Sequence, residues 1–134
     1  MKSTTTERDE AFARVCRRII AGQRKNRKPI PFEELLTKAL TTRPDRHFVE
    51  YDSALRRLYA LRRGRESCRP GLAAQKWHEI YAQVRVVMVR RPQLSFPMAV
   101  AFALAYKRPS RFYMPEKHAR DILRRVIAAE TMVI

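Results

Sequence analysis

Glycine is nearly missing from this sequence, with three residues in 134. That scarcity excludes a glycine-rich loop wrapped around a phosphate, and it removes the commonest turn residue of strand-rich folds. Cysteine is as scarce. Cys16 and Cys68 can build neither a disulfide framework nor a zinc quartet. The longest apolar run, Met98 to Tyr106, is too short to span a bilayer. Met1 to Glu10 is polar and does not read as a signal peptide, so a reducing cytoplasm is the expected compartment. The three histidines, His47, His78 and His118, form no His-x-x-x-His pair, and acids form no dense cluster. We therefore expect no catalytic set, no metal and no cofactor.

Acid is the other shortage. Thirteen Asp and Glu face 29 Lys and Arg, for a net charge of +16. Residues 1–70 carry 18 basic and 9 acidic side chains, and residues 71–134 carry 11 and 4. Both halves are thus basic, which is not the pattern of a neutral domain with one basic tail. Excess charge of this size destabilises a compact chain unless a polyanion offsets it, and the usual polyanion is nucleic acid. Hydrophobic residues make up 46% of the chain, enough for a core.

What is present in quantity is helical periodicity. Thr4-x-x-Glu7 fits a capping box, and Phe12, Val15, Cys16, Ile19 and Ile20 follow at helical spacing, predicting an amphipathic helix over roughly 6–23. A basic connector, Gln23 to Lys28, leads to Pro29 and Pro31. A short helix then carries Phe32, Leu35, Leu36, Ala39 and Leu40. A third helix over about 50–63 ends at Gly64. After a polar linker, a long helix over about 72–91 is marked by Trp77, Ile80, Val84 and Val87. Ser95 and Pro97 start the next one. That helix, Met98 to Tyr106, is apolar nearly all round, and we expect it at the centre of the molecule. A last helix begins at Pro115 and Glu116 and runs to about 128.

A stretch that occurs twice organises this series. Arg43-Pro44-Asp45-Arg46-His47-Phe48-Val49 leads to Ala54 and Leu58. At an offset of 65 residues, Arg108-Pro109-Ser110-Arg111-Phe112-Tyr113-Met114 leads to Ala119 and Leu123. The same offset carries Phe12 to Trp77 and Val15 to Ile80 upstream. The expected fold is all-α: a compact bundle of about six helices in one domain, 1–134. It is built from two pseudo-repeated units, 5–64 and 72–128, each helix, helix, extended segment, helix. The two extended segments could pair as a small ribbon.

The segment Arg108-Pro109-Ser110-Arg111-Phe112-Tyr113-Met114-Pro115-Glu116-Lys117-His118-Ala119 resembles stretches of small basic uncharacterised proteins of bacteria and their mobile elements. The resemblance covers about a tenth of the chain. It implies a bacterial or phage-borne origin and carries no activity with it.

Cationic candidates for a nucleic-acid interface fall in four places. Arg17, Arg18, Arg24, Lys25, Arg27 and Lys28 form the densest group, around the first connector. Arg43, Arg46, Arg108 and Arg111 hold equivalent slots in the repeat. Arg56, Arg57, Arg62 and Arg63 lie around the third helix, and Lys117, Arg120 and Arg124 on the last. Arginine suits both phosphate contact and bidentate bonding to guanine. Consecutive helices around each extended segment also invite a helix-turn-helix reading that would favour DNA over RNA, although about eight residues separate them where such turns use three or four. Phe48, Phe112 and Tyr113 could stack bases, but large aromatics more often anchor a segment to the core. The alternative is a basic module that binds an acidic protein. For it, or for a homodimer, Val86 and Val89 of the fourth helix and the tail Met132-Val133-Ile134 are the candidate contacts.

Overall fold

The computed structural model describes residues 2–26, 29–65 and 69–132, and over these the protein is all-α with six helices: α1 Thr4–Asn26, α2 Phe32–Thr41, α3 Tyr51–Arg62, α4 Leu72–Arg90, α5 Phe96–Tyr106 and α6 Glu116–Met132. No strand occurs among the described residues. The boundaries follow from local chemistry. Ser3 rather than Thr4 caps α1, its Oγ accepting the Thr6 N–H at 3.1 Å. The helix takes in Arg24 and Lys25, expected in the connector. They are good helix formers, and cations favour the negative end of the helix dipole. Ser95 caps α5 as its sequence predicts, accepting from the Met98 N–H at 3.3 Å. Gly64, at φ +73°, closes α3 in the left-handed conformation, and the Arg65 N–H reaches back to the Ala60 carbonyl at 2.7 Å.

The chain divides into two compact units: residues 1–43 with 110–134, and residues 44–109. Unit 1 holds α1, α2 and α6; unit 2 holds α3, α4 and α5. The sequence halves 5–64 and 72–128 therefore do not coincide with the spatial units. Each unit takes its long and short helix from one half and its third helix from the other. The chain changes unit between Arg43 and Pro44 and again between Pro109 and Ser110, inside the repeated Arg-Pro stretch.

In unit 1, Phe12, Cys16, Leu36, Phe112, Met114 and Leu123 are fully buried. The Phe12 and Phe112 rings meet edge to face, with centroids 5.3 Å apart. The core of unit 2 is formed by Ala54, Leu58, Trp77, Ile80, Val84, Val87, Phe96, Ala99, Val100 and Ala103. Apolar residues three and four apart thus face inward on every helix of the unit.

One expectation needs correction. α5 is not buried all round. Its inner face is Phe96, Ala99, Val100 and Ala103, while Met98 is 56% exposed, Tyr106 is 73% exposed, and Ala101 and Ala105 are also exposed. A helix packed in unit 2 against α3 and α4 has one side covered, and apolar composition alone does not cover the other. The helix-turn-helix reading paired consecutive helices, and these fall in different units: α2 and α3, and likewise α5 and α6. The two extended segments form no strand among the described residues; in unit 1 the Phe112 N–H bonds to the Leu40 carbonyl at the end of α2 (3.0 Å).

Candidate nucleic-acid interface

The long helix of unit 1 sorts its residues cleanly. Phe12, Val15, Cys16 and Ile20 face the core. Arg14, Arg17, Arg18 and Lys25 fall on the opposite side, together with Ala21. Arg14, Arg17, Arg18, Ala21 and Lys25 are all exposed. None of the four cations has an ion-pair, hydrogen-bond or ring partner among the described residues. From Arg14 to Lys25 the ridge runs about 16 Å at the ordinary helical rise. Towards its N-terminal end the charge changes, with Glu10 bridged to Lys2 at 3.0 Å. Arg24 leaves the ridge. It pairs with Glu130 of α6 at 3.5 Å and donates to the Glu130 carbonyl at 3.2 Å. Arg27 and Lys28 lie outside the described residues, as do Val133 and Ile134 of the apolar tail.

The repeated stretch has the same local geometry in both copies. The Arg46 Nε donates to the His47 carbonyl at 3.3 Å, and the Arg111 Nε donates to the Phe112 carbonyl at 3.0 Å. Each guanidinium lies over the ring two residues on: Arg46 at 5.4 Å from the Phe48 centroid, and Arg111 at 5.8 Å from that of Tyr113. Pro44 and Pro109 are both buried, as are the matching His47 and Phe112. His47 sits against the Gln83 Oε1 at 2.6 Å, and the Gln83 Nε2 donates to the Arg108 carbonyl at 2.8 Å. Arg108 itself donates to the Pro44 carbonyl at 2.9 Å and pairs with Asp45 at 3.4 Å. Three of the four repeated arginines thus hold the backbone of the repeated stretches. Arg43 is exposed and already interacts within the protein.

On α3, Arg57 lies 5.8 Å from the Trp77 ring, Arg62 4.7 Å from Phe96 and Arg63 5.6 Å from Tyr59. These cations cover the aromatic edges of the unit 2 core, leaving Arg56 as the exposed α3 cation without a partner among the described residues. On α6, Arg120 is gripped by Glu33 of α2 and by Glu116 at 2.8 Å. It holds the Glu33 carboxyl below its ordinary range chiefly by hydrogen bonding to the ionised form. Arg124 pairs with Asp121 at 3.5 Å and covers the Phe32 ring at 5.5 Å. Lys117 is exposed and without such a partner. His118 meets Asp9 at 2.8 Å and Arg8 meets it at 3.1 Å, so Asp9 ties α1 to the start of α6.

Of the candidates drawn from sequence, the structure brings Arg17, Arg18 and Lys25 onto one unencumbered face. It commits Arg24, Arg46, Arg57, Arg62, Arg63, Arg108, Arg111, Arg120 and Arg124 to internal contacts. Arg14, Arg85, Arg90 and Arg125, absent from that set, are without partners among the described residues. Arg14 was legible, standing three and four residues before Arg17 and Arg18. No group of three His, Cys, Asp or Glu among the described residues could hold a metal. No helix there is long and apolar enough to cross a membrane. Unit 1 also contains an open cavity of about 460 Å³ between Ile20, Ile30, Phe32, Leu35 and Ile127, with Arg24 and Glu130 at its polar side. No protein-family model matches the chain, and no curated protein or solved structure is significantly similar to it.

Proposed function

We propose that the protein is a non-enzymatic nucleic-acid-binding protein that docks through the outer face of α1. The observation that carries this reading is the ridge of Arg14, Arg17, Arg18 and Lys25: four cations on one helix side, none engaged by the described residues, in a chain of net charge +16. Cations aligned on a straight helix neutralise successive phosphates and release their counterions, which gives affinity that depends on salt and little on sequence. DNA is favoured over RNA. The major groove of B-form DNA admits a helix, whereas that of A-form RNA is too narrow for side chains to read.

The test is a titration of labelled duplex DNA and of duplex RNA of the same length, followed by fluorescence anisotropy between about 50 and 200 mM salt. Binding should weaken steeply as salt rises. Replacing Arg14, Arg17, Arg18 and Lys25 together by Gln should lower the slope of log affinity against log salt by about 0.9 for each phosphate no longer neutralised. No binding to duplex DNA at the lowest salt would end the proposal. A quadruple variant that binds like the parent would remove α1 from it.

A further inference from the structure

The outer face of α4 differs in kind from that of α1. At the 65-residue offset, Arg17, Ala21, Arg24 and Lys25 correspond to Ala82, Val86, Val89 and Arg90. Where α1 carries cations and one alanine, α4 carries an apolar strip between two arginines. Val89 is 81% exposed and Val86 43% exposed. Both lie opposite the buried side of the helix, formed by Trp77, Ile80, Val84 and Val87. Ala82, Arg85, Val86, Val89 and Arg90 line a shallow groove of about 360 Å³. Arg85 and Arg90 have no partner among the described residues.

We infer that this face is a docking site for an amphipathic helix of an acidic partner protein. Phosphate contact does not explain it, because exposed valines gain nothing against a polyanion backbone, while the cations that would serve phosphates are thinned out here relative to α1. A second copy of the chain is disfavoured, because a two-fold contact through this strip would bring Arg85 and Arg90 towards their own counterparts in a protein already at +16. The arrangement fits the helix-in-groove mode. Apolar side chains at i, i+3, i+4 and i+7 of the partner cover Ala82, Val86 and Val89, and Asp or Glu on either side of that stripe meets Arg85 and Arg90. The site shares no residue with the α1 ridge, so it is tested independently of nucleic-acid binding.

The experiment uses the whole ¹⁵N-labelled protein and two synthetic peptides of about five helical turns. Both carry leucine at i, i+3, i+4 and i+7; one is flanked by Glu and the other by Lys. Amide shift changes on adding the Glu peptide should map to residues 82–90. Val86→Asp with Val89→Asp, both at exposed positions and checked for retained helix by circular dichroism, should weaken binding at least tenfold. Arg85→Glu with Arg90→Glu should reverse the preference to the Lys peptide. The inference is overturned by shift changes outside α4 or none at all, by unchanged preference after the charge reversal, by duplex DNA that occupies residues 82–90 in place of the peptide, or by a dimer in sedimentation that Val89→Asp dissociates.

Discussion

Arg108 donates through Nε to the Pro44 carbonyl at 2.9 Å across 64 residues of chain. These residues stand at the two ends of unit 2, and each lies in a copy of the same repeated Arg-Pro stretch. The Arg108 Nη2 reaches the Asp45 carboxylate at 3.4 Å, and the Arg108 carbonyl accepts from the Gln83 side chain of α4. One arginine therefore joins the entry and the exit of the unit, with α4 braced against the exit. Arg108→Ala should cost about 1 kcal/mol, less than a buried charged hydrogen bond because the side chain is half exposed. Hydrogen exchange should show faster opening within residues 44–109. The salt dependence of nucleic-acid binding should hardly change, since this cation serves the fold.

Phe112 is the corresponding anchor of unit 1. Its ring is fully buried edge-on against Phe12, and its N–H bonds to the end of α2. Phe112→Ala should destabilise unit 1 by about 3–5 kcal/mol, the usual cost of deleting a buried aromatic. Urea unfolding followed residue by residue should then show residues 1–43 and 110–132 opening before 44–109.

Cys16 is buried in the core, and burial pushes its thiol from 9.0 to about 11, outweighing the opposing pull of the Arg17 charge. The folded protein should therefore leave Cys16 unlabelled by a maleimide at neutral pH and label it only after unfolding, as read by mass spectrometry. The sign of the linkage follows. The folded state holds this proton more tightly than the unfolded chain, so the contribution is complete below 9.0 and is lost as pH rises towards about 11. Cys16→Ala should remove that alkaline component from the difference between the two stability curves.

Glu33 offers the acid counterpart. Arg120 bonds its carboxylate and holds its pKa below 4.5, so the folded state releases this proton more readily than the unfolded chain. The stabilisation from the pair is present above the ordinary carboxylate value and is lost as pH falls through the depressed one. A carboxyl-carbon NMR titration should place the Glu33 midpoint below 4.5 in the parent. Arg120→Ala should move it upward.

Much of the fold was legible along the chain. Period-3.6 spacing in Phe12 to Ile20 and in Trp77 to Val87, together with Ser95, Pro97 and Gly64, placed the helices, because caps and apolar stripes are local chemistry. The cationic ridge was partly legible for the same reason: Arg14, Arg17, Arg18 and Lys25 share a face by helical geometry. The remaining arginines could not be sorted from sequence. Whether Arg57 covers Trp77, Arg120 meets Glu33 or Arg108 meets Pro44 depends on partners 20 to 87 residues away.

The chain by itself determined six helices, a strongly basic surface and a stretch repeated at 65 residues. Each of these follows from residue type and near-neighbour spacing. Tertiary structure decided which helices share a core. The connecting segments 42–50 and 107–115 leave the third helix of each half free to pack in either unit, and no local preference resolves that choice. It is resolved by long-range burial: Ala54 and Leu58 of α3 with Trp77 and Phe96, and Ala119 and Leu123 of α6 in the core of unit 1. The same choice brought Arg108 to the Pro44 carbonyl, turning a candidate ligand contact into a backbone clasp. It left the outer faces of α1 and α4 as the surfaces on which function is proposed.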